Sequence, residues 1–252
     1  MGAVHRESRP TPFGLFALVV LVLLGGCASR TADTAGATPD PDPWEGLNRK
    51  VFVFNDTLDR YALKPVAKGY RKVTPGWLDQ TVTRFFGNID DFTSALNSVF
   101  QWRWGEATES LGRFTVNSTL GVAGLFDVAS RIELSKQDED FGLTLARWGV
   151  DMGPYVVVPF LGPATVRSAA GRVPDYYLDP LTYLEDQALD NSLTVLSIVD
   201  TRADLLDLER TIVGDRYTFI RSTYLQRRRQ KAGEAPQRDD FGEGFEPDDS
   251  DW

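Results

Sequence analysis

The sequence predicts an all-α protein: a single helical domain with one short, extended, proline-flanked segment and flexible termini. Three observations predict it. Apolar residues recur three and four positions apart along most of the chain between residues 42 and 230, the period of a helix with one greasy face. One β-branched run, Val156-Val157-Val158, lies between Pro154 and Pro159 and has no obvious strand partner, so no sheet is inferred. The two ends differ in composition from everything between them.

Residues 1–26 read as an export signal. His5, Arg6 and Arg9 precede an uncharged run, Phe13–Leu24, too short to span a bilayer. The run closes on Leu24-Gly25-Gly26-Cys27, the pattern of a bacterial lipobox. Cys27 is then the expected site of a thioether-linked diacylglycerol and an N-terminal acyl chain, and two or more chains anchor stably where one does not. Ala28-Ser29 lacks an aspartate after Cys27, which by analogy with enterobacterial sorting favours the outer membrane. Residues 27–41 are small, polar and proline-bearing, a flexible tether. Residues 231–252 hold eight acids against Lys231 and Arg238, an expected disordered acidic tail.

Composition removes several functions. The chain has a formal net charge of −9, much of it in the tail, and no broad basic field, so nucleic acid is not an expected partner. The single His is His5 and the single Cys is Cys27. Once the signal is cleaved and the thiol acylated, no imidazole or free thiol remains. Ser-His-Asp and Cys-His catalysis and His- or Cys-ligated metal sites are excluded. Carboxylate-only chemistry survives. Asp90, Asp91, Glu106 and Glu109 are the acids that a cell-wall-cleaving enzyme would use, and solvated helix faces are the plainer reading of them.

The domain, residues 42–230, is expected to open with Asp42 as a helix cap, Pro43 at the first helical position and Glu45 three after the cap. Leu47, Val51, Phe54, Leu58 and Tyr61 then form one apolar stripe. Asn48 and Asn55, seven apart, share a line beside it. Lys64-Pro65 should end this helix. Thr74-Pro75-Gly76 starts a second with a broad apolar face from Trp77 to Phe100, breakable at Gly87-Asn88. Glu106–Val116 is a third, followed by an apolar, glycine-spaced segment from Asn117 to Asp127. Further helices are expected over Asp138–Trp148, Ala164–Ala170, Leu181–Ile198, Thr201–Leu208 and Asp215–Gln230. Arg227-Arg228-Arg229 makes a local basic patch on the last. No internal repeat is present. The apolar faces fit either a water-soluble core or surfaces that meet lipid.

In order along the chain, Asp42-Pro43-Trp44-Glu45-Gly46-Leu47-Asn48-Arg49, Phe52-Val53-Phe54-Asn55, Arg113-Phe114, Asn117, Leu120-Gly121-Val122-Ala123-Gly124-Leu125-Phe126-Asp127, Phe141-Gly142-Leu143-Thr144-Leu145, Gly153-Pro154-Tyr155, Val158-Pro159-Phe160-Leu161-Gly162-Pro163 and Thr201-Arg202-Ala203-Asp204-Leu205-Leu206 together resemble the VacJ/MlaA lipoprotein family. Ala146 stands where that family usually has Gly, and Ser168 where it usually has an acid. The resemblance implies a ring-like helical protein on the inner side of the outer membrane. Such a protein binds phospholipids misplaced in the outer leaflet and hands them to a periplasmic carrier protein, which delivers them to an inner-membrane transporter. It implies trimeric porin as a membrane companion, and no enzyme activity, cofactor or metal. A porin-associated structural lipoprotein is the further alternative. Within this reading Asn48, Phe52, Phe54 and Asn55 are the candidate wall or gate of a lipid path. Gly121 and Gly124 mark a mobile or membrane-facing piece. The plainer alternative is that the asparagines bond backbone and the glycines permit close packing.

Overall fold

The computed structural model describes residues 40–212 and 214–234. Cys27, the signal, the tether up to residue 39 and the acidic tail from residue 235 lie outside them.

The described chain is helical apart from one small hairpin. Helix α1 spans Glu45–Leu58 and passes through a π-helical turn, Asp59–Leu63, directly into α2, Lys64–Val73. Lys64-Pro65 therefore does not end the first helix, contrary to expectation. Pro65 falls in the first turn of α2, and the wider turn before it takes up the strain its ring would impose on a regular helix. Helix α3, Gly76–Phe100, runs 25 residues without the expected break at Gly87-Asn88. A Cβ on Gly87 would stand 2.7 Å from Lys136 Nζ, so that glycine makes room for a neighbour and not for a kink. Helix α4, Trp104–Thr119, extends three residues beyond the expected end and takes in Asn117.

After α5 (Phe141–Arg147), the proline-flanked run does find a partner. Strand β1, Tyr155–Val158, pairs antiparallel with β2, Gly162–Thr165, so the expectation of a lone extended piece is corrected. The partner escaped notice because Gly162-Pro163-Ala164-Thr165 has little strand character. Pro163 is tolerated there because a two-stranded ribbon has only edges. Helix α6, Val166–Leu178, continues past the expected Ala170 and through Pro174. Helix α7, Gln187–Leu208, is one helix where two were expected, and α8 is Arg216–Ala232. The expected gap in α7 falls at Asp200, which is buried and accepts hydrogen bonds from Tyr70 Oη (3.0 Å) and Thr83 Oγ1 (3.0 Å), tying the middle of α7 to α2 and α3.

Burial runs against the usual pattern. Among the described residues 18 polar or charged side chains are buried against 13 apolar ones, and six of those 13 are alanines. Meanwhile 34 large apolar side chains are exposed. The apolar stripe that starts on α1 shows the inversion: Leu47, Phe54, Leu58 and, in the π turn, Tyr61 face outward, Val51 alone of the stripe packs inward, and Asn48 is buried. Helix α3 buries Asn88, Asp91, Ser94, Ala95, Asn97 and Ser98. Asn88 and Asp91 meet Ser118 and Arg113 of α4, while Asn97 meets Thr144 of α5 and Asp175, and α4 in turn buries Ala107, Ser110, Arg113 and Asn117. Small and polar residues at a helix interface, with apolar ones outside, is the packing used where the surroundings are themselves apolar. No helix among the described residues is long and apolar enough to cross a membrane. Among the described residues, the apolar cluster of Tyr155, Val157, Tyr217 and Leu225 joins the hairpin to α8.

Candidate lipid-binding site

The sequence-predicted residues of α1 converge on the hairpin. Asn48 Nδ2 donates to the Tyr155 carbonyl (3.0 Å), and Asn48 Oδ1 accepts from the Val157 N–H (2.9 Å). Asn55 repeats the motif one step on, donating to Val158 O (3.0 Å) and accepting from Phe160 N (2.9 Å). Each side-chain amide thus plays the part of a peptide group on a neighbouring strand. The spacing explains itself: seven helical residues advance about 10.5 Å, and three strand residues advance about 10 Å. Helix α1 thereby closes the free edge of β1.

Asp42 sits behind this clasp. It is not the expected cap; the residue preceding the first helical turn is Trp44, and no side chain caps it. Asp42 is instead fully buried. It accepts from Asn48 Nδ2 (2.7 Å), Tyr217 Oη and Arg221 Nη1 (2.8 Å). Burial, with the Asp42 carboxylate beside it, pushes the Tyr217 hydroxyl well above its ordinary pKa, so it stays a donor.

The two phenylalanines part company. Phe52 packs edge-on against Tyr217 (5.5 Å between centroids) in the apolar cluster. Phe54 points out and meets Phe160 edge-to-face at 5.3 Å. Phe160 stands at the hairpin tip with φ 63°, and is 72% exposed, with Leu161 beside it at 62%. Behind the tip lies a cavity of about 330 Å³, lined by Val158, Leu161, Val173, Tyr176, Tyr177 and Arg172. Arg172 Nη2 donates to Pro163 O (3.2 Å), while its Nη1 is buried without a hydrogen-bond partner. An unsatisfied cationic donor in an apolar recess suits a ligand with an anionic end and a hydrocarbon end.

Gly121 and Gly124 lie elsewhere, in the loop after α4. A Cβ on Gly121 would stand 2.2 Å from the Phe126 carbonyl, and Gly124 has φ 84° with Asn88 at 2.7 Å from its would-be Cβ. Val122 and Ala123 also adopt positive φ, 54° and 58°, so three successive residues are left-handed. The loop holds Leu120, Val122 and Phe126 out into the surroundings. It is moored by Arg113, which reaches Asp91 (3.1 Å), Asp127 (3.2 Å), Ser130 Oγ (3.0 Å) and Leu134 O (2.8 Å). Asn117 adds a bond to Asp127 and accepts from Ala129 N.

Three of the four acids considered for cell-wall cleavage are held by other partners, and burial pushes the fourth, Asp90, up to about 6. Asp91 is buried on Arg113, Glu106 pairs with Arg103 (2.9 Å), and Glu109 accepts from Gln137 (3.1 Å). The basic patch on α8 is also engaged: Arg228 forks onto Asp140, and Arg227 and Lys231 reach Asp138.

Residues 40–231 match the family model described as MlaA lipoprotein. The chain belongs to the MlaA lipoprotein family. Among MlaA relatives, the intermembrane phospholipid transport system lipoprotein MlaA of Escherichia coli K12 is 34% identical over 211 residues, covering 81% of this chain and 82% of that one. An uncharacterized protein of Rickettsia bellii is 37% identical over 191 residues, covering 74% and 75%. A solved chain, from work on the structural basis for maintenance of bacterial outer membrane lipid asymmetry, is 34% identical with a TM-score of 0.66; the match covers 76% of this chain and 98% of that one.

Of the two departures from the usual MlaA pattern, Ser168 has a clear role. It is the third helical residue of α6 and completes a reciprocal capping box with Thr165, while bonding Tyr224 Oη at 2.7 Å. A hydroxyl does here what a carboxylate does in the usual box. Sequence reading missed Arg172, Tyr176 and Tyr177, because the expected helix stopped at Ala170. It also missed the lysines of α2, whose four-residue spacing was legible.

Proposed function

We propose that this chain is an outer-membrane lipoprotein that binds phospholipids misplaced in the outer leaflet. It passes them to a periplasmic carrier protein and so maintains lipid asymmetry. The observation that carries the reading is the inverted burial: polar side chains inside, 34 large apolar ones outside. Isolated exposed apolar residues are ordinary, but faces of this extent mark contact with apolar surroundings. The family membership and the E. coli relative named for intermembrane phospholipid transport support the same reading.

In this reading the acyl chains on Cys27 hold the domain at the inner side of the outer membrane, and the residues between Cys27 and Pro41 serve as tether. The acidic tail begins only after Glu234, since α8 runs to Ala232 and Glu234 pairs with Arg167 (2.6 Å). The helical body is the wall of a ring-like passage, and trimeric porin is its membrane companion. A lipid headgroup is costly in hydrocarbon, and its tails are costly in water. The hairpin tip with Phe54, Phe160 and the Arg172 recess offers both chemistries within one site. Asn48 and Asn55 fix that hairpin to α1 and so set the shape of the wall. The Gly121–Gly124 loop, with Leu120, Val122 and Phe126 outward, is the membrane-facing piece. Moving a lipid intact needs no catalytic residue, cofactor or metal.

Native mass spectrometry of the detergent-extracted protein tests this. The expected spectrum shows the acylated Cys27 form carrying phospholipid. An acylated protein that never carries phospholipid, and takes none from mixed micelles, would overturn the reading.

A further inference from the structure

A second cavity, of about 600 Å³, lies apart from the hairpin, between α2 and the end of α7. Its walls are mostly charged: Lys64, Lys68, Arg71, Lys72, Glu209 and Arg210. The sequence builds it simply. Lys64, Lys68 and Lys72 are four apart and so lie along one line of α2, with Arg71 beside them. Like charges at that spacing repel and weaken a helix, a cost that an anion lying against the line would reverse.

The acids nearby are already committed. Glu209 is shared among Arg202 (2.7 Å), Lys64 (2.9 Å) and Arg216 (3.2 Å). Burial would raise its pKa, but these cations outweigh burial and hold the carboxyl down at about 2, so it is always charged and always paired. Asp207 pairs with Arg71 (2.9 Å) and sits 3.7 Å from Arg210. Lys68 and Lys72 make no ion pair among the described residues, and both are exposed. The cavity is therefore left with net positive charge and at least two uncommitted cations.

The same helix has a second exposed side. Val66 and Val73, seven apart, fall along another line of it, away from the lysines. Helix α2 is thus built like an element lying in a membrane interface. Its apolar line meets acyl chains while its long cationic side chains reach to the level of the phosphates.

We propose that the cavity between α2 and the end of α7 binds a phosphate-bearing anion, the headgroup of an anionic phospholipid. Lys68 and Lys72 supply its free charge. Lysine binds phosphate as a point charge, and a phosphodiester brings the single negative charge this cavity lacks. A headgroup carrying its own ammonium, as in phosphatidylcholine, would meet repulsion from the same lysines. The choice of a lipid as the source of the phosphate rests on the carrier reading above.

The test is calorimetric titration of the full-length acylated protein in nonionic detergent. Three ligands are compared: dihexanoyl phosphatidylglycerol, dihexanoyl phosphatidylcholine and inorganic phosphate. Lys68→Ala/Lys72→Ala is the variant, its fold checked by circular dichroism. The wild type is expected to bind phosphatidylglycerol with an affinity that falls as salt rises, and the variant to bind it about tenfold more weakly. Phosphatidylcholine should bind the wild type more weakly than phosphatidylglycerol does, and loss of the lysines should not weaken it further. Equal phosphatidylglycerol affinity in both proteins would overturn the proposal. Inorganic phosphate binding as tightly as phosphatidylglycerol would overturn the headgroup as occupant. The lipid that co-purifies with the wild type separates the two readings. If the wild type holds phospholipid and the variant's affinity is unchanged, only this site falls; if the wild type neither holds nor binds phospholipid, the carrier reading falls with it.

Discussion

Replacing Asn48 by alanine removes the buried half of the clasp between α1 and the hairpin. Three hydrogen bonds go: to Asp42 Oδ1 (2.7 Å), to Tyr155 O (3.0 Å) and from Val157 N (2.9 Å). Asn48, Tyr155 and Val157 are all buried, so water does not readily replace the lost partner. An unsatisfied buried donor or acceptor costs about 1–3 kcal/mol, and two are left on β1. Asp42 keeps Tyr217 and Arg221 and loses less. The expected loss is about 3–5 kcal/mol, against a total of about 5–15 kcal/mol for an ordinary domain. Asn55→Ala makes the comparison sharp. Its partners, Val158 O and Phe160 N, lie by the exposed hairpin tip and can turn to water, so about 1 kcal/mol is expected. Asn48→Asp keeps the shape but cannot donate and sets a charge beside Asp42, so it should be no better than alanine. Urea titration with amide hydrogen exchange reads both variants. Asn48→Ala should strip protection from the Val157 amide, and Asn55→Ala from the Phe160 amide alone. Equal stabilities for the two variants, or a Val157 amide still protected without Asn48, would refute the reasoning.

Three further outcomes are expected. Gly124→Ala places a Cβ 2.7 Å from Asn88 at φ 84° and should cost about 2 kcal/mol or more in thermal unfolding, whereas Val122→Gly relieves a β-branched residue at φ 54° and should be neutral or stabilising. Arg113→Met strands the buried Asp91 carboxylate and should cost about 3–5 kcal/mol; adding Asp91→Asn should recover a good part of that in a double-mutant cycle. Burial alone would raise Asp127, but Ser130, Asn117 and Arg113 outweigh it and hold its carboxyl down at about 2. Its pKa is lower folded than unfolded, so its stabilisation is complete above about pH 4 and is lost as pH falls toward 2. Acid titration of stability should therefore be shallower in Asp127→Asn than in the wild type, by about 2 kcal/mol across that window.

The helices were legible because 3.6-residue periodicity is local, and α1, α3, α4, α5 and α8 lie where the apolar stripes placed them. The inside and outside of those helices were not. Periodicity locates an apolar face without saying what covers it; in α3 the covered face is largely polar, and in α1 Asn48 is covered together with Val51 and Phe52. Local breaker rules failed where tertiary contacts overrode them: at Pro65, absorbed by a π turn; at Gly87, backed by Lys136; and at Asp200, pinned by Tyr70 and Thr83. The hairpin escaped because its second strand contains Gly162 and Pro163, and because its outer edge pairs with side chains of a helix. Asn48 and Asn55 were singled out by their seven-residue spacing. Their bonds to β1 required knowing that a strand lay opposite. Arg172 and the α2 lysines depend on which helices pack together, which no single stripe reveals.

The central claim is that the protein clears phospholipid from the outer leaflet while tethered by Cys27. Surface phospholipid, measured by labelling intact cells with a membrane-impermeant amine reagent, tests it most directly. Cells lacking the protein should show more labelled phosphatidylethanolamine, restored to the original level by the wild-type chain and not by Cys27→Ser. Unchanged labelling in the deletion strain would contradict the account.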